Sequence, residues 1–385
     1  KSLGLDYKYV DDGHDIKKLI EILESVKDTN HPVVLHIKTI KGKGLHYAEV
    51  DRETWHYNGN FDPETGKPKT EAQNVENFAT ITHDFLIEKM KKDSTISFIN
   101  AGVPMAAGFF KEKRKGLNDL RKQYVDVGIA EEHAVAFSSG MAKNGAKPVF
   151  AVVSTFLQRT YDQLSHDLAI NNNPAVVLVF GGTLKGMNDV THLGYFDIPL
   201  VSNIPNLVYL APTTKEEYLA MLDWGIDQSE YPVIIKVPGG EVLYSDIEVD
   251  KNYSDLNKFK VIEKGEDVAI IGLGEFYHLG KEIKELLKEK NGINSTLINP
   301  RFITGLDEKL LNELKENHKL VVTLESGQKE GGFGPKISSF YGNSDVKVLN
   351  VGAKKEFTDE IPYDVFFENN RLNKEQIVED IMNIL

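Results

Sequence analysis

From Asn77 onward the chain alternates helical-period segments with short apolar runs, and few architectures accept that pattern. The runs at 96–100, 148–153, 174–180, 208–210 and 233–237 are too short for helices and lack polar alternation. They read as strands buried on both faces, which is the signature of a parallel sheet covered by helices. Segments 80–91, 157–170 and 215–224 carry helical spacing between them. A second unit of the same kind begins near Phe259, with strands at 268–273, 295–299, 320–324 and 347–351 and helices at 277–289, 306–317 and 374–385. The charged stretch 246–258 reads as the linker. The expected fold class is α/β, with domains at 76–245 and 259–385 behind a leading piece at 1–75.

The leading piece reads as strand, helix (16–26) and strand (32–40), with too few partners to form a domain. Lys41-Gly-Lys-Gly44 lacks the remainder of a phosphate-binding P-loop and reads as a basic turn. Residues 51–75 form a connector whose bulky cluster is Trp55, His56 and Tyr57. The N-terminus is neither a signal nor a transit peptide, has no starting Met and begins mid-pattern, which predicts a piece of a longer protein.

A chain of 385 residues needs two or three cores. Its net charge of −13 argues against nucleic acid or an anionic membrane as the main partner, although a local basic pocket for phosphate stays open. No apolar run is long enough to span a bilayer. The absence of Cys excludes disulfides and thiolate metal sites and fits a cytoplasmic protein.

The stretch Tyr124-Val-Asp-Val-Gly-Ile-Ala-Glu-Glu-His-Ala-Val-Ala-Phe-Ser-Ser-Gly140 reads as a short strand, a glycine turn and a helix of small residues. From this stretch alone Glu131 and Glu132 read first as acids of a first helical turn, where the helix dipole favours negative charge. In parallel sheets, ligands gather at the carboxyl ends of strands. Glu131, Phe156 and His192 each follow one such strand, the last in a Gly-rich loop with Asn188 and Asp189. A carboxylate, an aromatic face and an imidazole serve many reactions, so position alone names none. Asp126, Asp162 and Asp167 read as capping or solvated groups.

Three strings, Asp126-Val-Gly-Ile-Ala-Glu-Glu-His-Ala, Ser154-Thr-Phe-Leu-Gln-Arg-Thr-Tyr-Asp-Gln163 and Thr191-His-Leu-Gly-Tyr-Phe-Asp197, resemble the pyrimidine-binding domain of the 1-deoxy-D-xylulose-5-phosphate synthase family. That family is related to transketolase and uses thiamine diphosphate. The flanks agree: Leu5-Asp-Tyr-Lys-Tyr-Val-Asp-Asp-Gly-His-Asp15 and Lys41-Gly-Lys-Gly44 resemble the end of its first domain, and Leu324-Glu-Ser-Gly with Gly331-Gly-Phe-Gly resemble its C-terminal domain. The resemblance covers nearly the whole chain in the family's order. It implies a pyrimidine domain with a mostly parallel sheet, a transketolase-type C-terminal α/β domain, and a remnant of the diphosphate-binding domain at 1–75.

The resemblance further implies roles. Glu131 would hydrogen-bond the aminopyrimidine and favour the imino tautomer that removes the thiazolium proton. Phe156 would stack on that ring, with Arg159 and Tyr161 also at the cofactor. His192 and His56 would stand near the reacting carbonyl for proton transfer or oxyanion stabilisation. Lys185, Asn188 and Asp189 would be weaker contacts to substrate. Pyruvate and an aldehyde such as glyceraldehyde 3-phosphate would be the substrates, and a homodimer the assembly, with the small-residue helix after Glu131 as a dimer contact and the C-terminal unit in a packing role. A ketol transfer without decarboxylation, or a binding module without catalysis, are the alternatives.

Two departures matter. The family holds the diphosphate through Mg²⁺ on a Gly-Asp-Gly…Asn motif, and no Gly-Asp-Gly occurs in this sequence, so the metal ligands are expected elsewhere and the chain should be inactive alone. The family also grips the acceptor phosphate with two Arg residues, and a Tyr precedes its Ser-Thr-Phe string. Those positions are Gly181, Gly239 and Val153 here. Each lost guanidinium should weaken phosphate binding by roughly 1.5–3 kcal/mol, which predicts a different acceptor. Lys185 could replace part of that grip.

Overall fold

The computed structural model describes residues 2–56, 59–69 and 75–385, which form two units, 1–75 and 76–385. In the first unit, strands β1 (Asp6–Val10) and β2 (Val33–Ile37) pair in parallel around the helix Ile16–Glu24. Two strands and one helix bury little: Ile16, Ile20 and Leu23 on that helix stay exposed. Lys41–Gly44 is the expected turn, closed when Gly44 N–H donates to Glu49. A short helix, His46–Val50, follows it, and Trp55 packs between Tyr47 and Phe61. Tyr57 lies outside the described residues.

The second unit contains two sheets. The first has six strands, β3 (Ile96–Asn100), β4 (Tyr124–Asp126), β5 (Lys147–Val153), β6 (Val176–Phe180), β7 (Val208–Leu210) and β8 (Val233–Lys236), ordered β4-β3-β5-β6-β8-β7 and parallel throughout. Strands β3, β5, β6 and β8 are buried along nearly their whole length, which explains their largely apolar sequences. Strand order reverses at β3, because the chain places β4 on one side of it and then β5 on the other. That reversal opens a crevice at the carboxyl ends of the strands.

The second sheet runs β13-β12-β10-β11-β9, with β9 (Lys260–Glu263) antiparallel to β11 (Thr296–Asn299). The other strands, β10 (Asp267–Leu273), β12 (His318–Gln328) and β13 (Lys347–Ala353), are parallel. The two sheets are joined by a stretch without helix or strand that includes 246–258. Helices Phe333–Tyr341 and Tyr363–Asn369, an antiparallel β9 and a short helix Asp197–Val201 are present beyond the expected elements.

One expected element differs in kind. Segment 157–170 is not a single helix. The chain turns through α geometry at Ser154–Leu157, 3-10 geometry at Gln158–Thr160, α again at Tyr161–Gln163, and a π-helical turn at Leu164–Ala169. Gly225 sits inside the helix Lys215–Asp227, where it packs against Val176 and Val233, rather than in a loop.

Candidate active site

The turn after β4 is built by one carboxylate. Asp126 Oδ1 accepts the N–H of Gly128 at 2.9 Å and that of Gly102 at 3.2 Å. Both glycines have φ near +75° (Gly128 +74°, Gly102 +76°), a conformation that side chains strain. The chain thereby enters the helix Glu131–Lys143 with Glu131 as its first residue. Glu131 is 2% exposed, although it is an acid, while Glu132 beside it is exposed. A first-turn position favours its charge.

The small residues of that helix bring it close to the π-helical turn. Ser139 Oγ donates to the Asp167 carbonyl at 2.6 Å and accepts from Asn173 Nδ2 at 2.7 Å. Ala134, Val135, Ser138 and Ala142 are buried on the same helix. This face is packed inside the chain, while Glu132, His133 and Gly140 of the same helix stay exposed.

From the end of β5, Arg159 reaches back and donates from Nη1 to Glu131 Oε2 at 3.1 Å. Its guanidinium also lies over the Phe156 ring, 5.7 Å from the centroid. The Phe156 ring in turn meets the His192 imidazole edge-on, with centroids 5.7 Å apart. Glu131, Arg159, Phe156 and His192 therefore form one continuous row along the crevice. Tyr161 is exposed and donates its hydroxyl to Asn203 at 2.9 Å.

His192 is oriented by its own loop. Its Nδ1 lies 2.8 Å from Asp189 Oδ1, which also accepts the Thr191 hydroxyl at 2.6 Å. Those two donors, Thr191 first, hold the Asp189 carboxyl below its ordinary range. A carboxylate facing Nδ1 places the ring proton there and leaves Nε2 as the group that can take or give a proton. From the sheet side, the Ser154 hydroxyl bonds the Gly194 carbonyl, and Thr155 bonds that of Thr191 at 3.3 Å.

The three departures from the family motif are neighbours of this row. A Cβ on Gly181 would find Val153 Cγ1 at 3.8 Å, so space is open there, but its φ of +67° disfavours a side chain. A Cβ on Gly239 would lie 2.2 Å from Thr183 Oγ1, so the present structure has no room for one. Lys185 is exposed, with its stem close to Gly240. Asn188 is engaged away from the row, its amide donating to the Ile361 carbonyl at 3.3 Å. His56 belongs to the other unit, where both ring nitrogens lie 3.3 Å from Lys41 Nζ.

Sequence reasoning missed the groups that hold these loops. Lys236 is buried, contacts both Asp197 carboxylate oxygens at 2.7 Å and donates to the Gly182 carbonyl. Asp197 also accepts the buried Tyr209 hydroxyl, whose pKa is driven well up by burial and then by that carboxylate. Glu275 accepts the Gly239 N–H at 2.9 Å and the Ser326 hydroxyl at 2.6 Å, and Ser326 accepts the Leu184 N–H at 3.0 Å. Burial raises the Glu275 carboxyl pKa. These residues sit in ordinary strand and loop sequence; only Asp197 and Ser326 fell within noted motifs.

The residues present fit the edge of an aminopyrimidine. The row offers a buried carboxylate at 2% exposure with a guanidinium on one of its oxygens, beside an aromatic face. Among the described residues, no three His, Asp or Glu side chains are arranged to hold a metal ion. No helix among them is long and apolar enough to cross a membrane.

Comparison with known proteins gives the same order of parts. Residues 77–242 match the transketolase pyrimidine-binding domain, 257–377 the transketolase C-terminal domain, and 1–39 a family described as 1-deoxy-D-xylulose-5-phosphate synthase. A 1-deoxy-D-xylulose-5-phosphate synthase of Clostridium tetani is 35% identical over 387 residues, covering all of this chain and 61% of the relative. One from Alkaliphilus oremlandii is 36% identical over 390 residues, covering 99% of this chain and 60% of the relative. The chain thus spans about three fifths of the length of these relatives. Among solved structures, a split-gene transketolase described as an inactive β4 tetramer superposes with a TM-score of 0.66 at 19% identity, over 79% of this chain and 97% of that one.

Proposed function

Because this chain belongs to the transketolase-like family of 1-deoxy-D-xylulose-5-phosphate synthase, we propose that it supplies the pyrimidine side of a thiamine-diphosphate site. The complete enzyme would decarboxylate pyruvate and join the remaining two carbons to an aldehyde. The observation that carries this reading is the buried Glu131 carboxylate in one row with Phe156 and His192. The bound cofactor would supply the nucleophile and the electron sink. Glu131 would accept a hydrogen bond from a protonated ring nitrogen, a bond that a buried carboxylate makes short and strong. Arg159 keeps that carboxylate aimed, and Phe156 provides the flat face. His192, with its Nδ1 proton turned to Asp189, presents Nε2 for proton transfer at the substrate oxygen.

The diphosphate and Mg²⁺ would be held by a Gly-Asp-Gly-bearing half that these 385 residues do not contain. The acceptor would be bound without the two guanidiniums that Gly181 and Gly239 replace, which favours an aldehyde other than glyceraldehyde 3-phosphate. Tyr161 would touch the cofactor, His56 would stand near the reacting carbonyl and Lys185 would be a weaker contact to substrate, as the resemblance implies. The same reading expects a cytoplasmic homodimer, whose pairing light scattering would test.

The decisive experiment measures thiamine diphosphate and Mg²⁺ binding by calorimetry, and CO₂ release from pyruvate, on the assembly that includes the diphosphate-binding half. Binding that is lost in Glu131→Ala, together with CO₂ release, supports the reading. An assembly that binds no cofactor overturns it, and tight turnover of glyceraldehyde 3-phosphate overturns the acceptor assignment alone.

A further inference from the structure

The loop that carries His192 is gripped from a second direction by a segment far along the chain. Residues 356–363, between β13 and the helix Tyr363–Asn369, run along it as a strap. The Glu360 N–H donates to the Asn188 carbonyl at 2.8 Å, and the Asn188 amide returns a bond to the Ile361 carbonyl. The Tyr363 hydroxyl donates to the Gly186 carbonyl at 2.7 Å. The Val190 N–H donates to Asp359 Oδ1 at 3.0 Å. At the loop's far end, the Tyr195 hydroxyl lies 3.3 Å from both the Glu356 carbonyl and the Thr358 hydroxyl, and Phe196 meets Phe357 edge-on.

These contacts alternate with those that orient the imidazole. Asp359 holds Val190, the residue between Asp189 and Thr191, and Asp189 with Thr191 faces His192 Nδ1. A loop bonded to the strap at 186, 188 and 190 has little freedom to swing Asp189 away from the ring. Glu360 adopts a left-handed backbone with φ +50° in order to make its contact. A non-glycine residue is unfavourable in that conformation, so the clamp carries local strain of the kind found where geometry is held for function.

We propose that Asp359 and Tyr363 are positioning residues for His192, so that the C-terminal half of the chain sets the geometry of the proton-transfer group. The inference rests on the reading of His192 given above. It adds that the second sheet does more than pack: it braces the acceptor side of the crevice through this strap and through the Glu275–Ser326 pair that holds Gly239 and Leu184.

The test labels histidine nitrogens in this chain and follows His192 by NMR in the wild type, Asp359→Ala, Asp359→Asn and Tyr363→Phe. The expected result is a His192 held in the Nδ1-protonated tautomer in the wild type and a mixture of tautomers in Asp359→Ala. Asp359→Asn, which keeps an acceptor oxygen, restores the wild-type signal. In the cofactor-loaded assembly, Asp359→Ala should lower kcat about ten-fold with thiamine diphosphate affinity unchanged. A His192 spectrum and kcat unmoved by Asp359→Ala, while Val190 amide exchange accelerates, would show a strap that is structural only and overturn the proposal. If Asp359→Ala does not fold, Tyr363→Phe decides in the same two readouts. Failure of the wild-type assembly to bind cofactor would count against the functional reading, whereas the tautomer measurement still decides the positioning.

Discussion

Arg159 Nη1 stands 3.1 Å from Glu131 Oε2, which joins a half-exposed guanidinium to a carboxylate withdrawn from solvent. The pair links the strand ends of β4 and β5, and removing either partner has a different consequence.

Arg159→Met should leave Glu131 buried without its cation. Because the guanidinium is 49% exposed, the expected loss is modest, about 1–2 kcal/mol in urea unfolding rather than the larger cost of a fully buried pair. Glu131→Gln should keep the fold within about 1 kcal/mol but lower CO₂ release from pyruvate by roughly 10²–10⁴-fold in the assembled enzyme. Equal activity in Glu131→Gln and wild type would remove Glu131 from the chemistry.

Restoring arginine at the two glycine positions should succeed at one and fail at the other. Gly181→Arg meets open space and should cost about 1–2 kcal/mol from its positive φ. Gly239→Arg drives its Cβ to 2.2 Å from Thr183 Oγ1 and should destabilise by several kcal/mol, of the order set by overpacking in a core. Thr183 Oγ1 is itself buried without a hydrogen-bond partner, so Thr183→Ala should be nearly neutral and should rescue Gly239→Arg. Thermal melts of the four variants check the order, and a Gly239→Arg protein as stable as wild type would contradict the packing described.

Glu325 links stability to pH. Its carboxylate accepts the Phe333 and Gly334 N–H groups at the start of the helix Phe333–Tyr341, and burial pushes its pKa from 4.5 up to about 7. Between those values the native state holds a proton that the unfolded chain releases. Stability should therefore fall as pH rises from about 4.5 to 7, by on the order of a few kcal/mol from this group. Lys336 acts in the opposite sense higher up: burial lowers its pKa from 10.5 to about 8, so its contribution rises with pH across that window. Urea denaturation at pH 5 and pH 7.5 measures the first effect. In Glu325→Gln the difference between the two pH values should shrink, and an unchanged difference would assign it to other groups.

The two-sheet α/β architecture was legible because strands such as β6, buried on both faces, must be apolar along nearly their whole length. The placement of Glu131, Phe156 and His192 at one edge was legible because each lies in the loop or turn beyond the carboxyl end of a strand in one parallel sheet. Arg159 was named by motif, but its grip on Glu131 needs a turn of irregular helix that periodicity cannot encode. The supporting residues were illegible for a different reason. Lys236 and Asp197 are separated by 39 residues, and Asp359 and Val190 by 169, so nothing local marks them as partners. A small-residue helix can serve an interface or a close internal fit, and the internal fit of one face becomes visible only through the bond from Ser139 to Asp167.

The mixed winding from Ser154 to Ala169 gives this stretch one spare residue, at its π-helical end only, in a way that composition would not suggest. A π-helical turn accommodates one residue more than an α-helical turn between the same two anchors. Phe156 and Arg159 are fixed at one end by Glu131 and His192, and the Asp167 carbonyl is fixed at the other by Ser139. Deleting a single residue from Leu164–Ala169 would convert the turn to α and leave the two anchors in phase, whereas a deletion between Gln158 and Gln163 has no extra residue to give up and would step one anchor against the other by about 100°. The segment keeps phase rather than distance, and only a deletion outside the π-helical turn would turn the aromatic face out of the crevice.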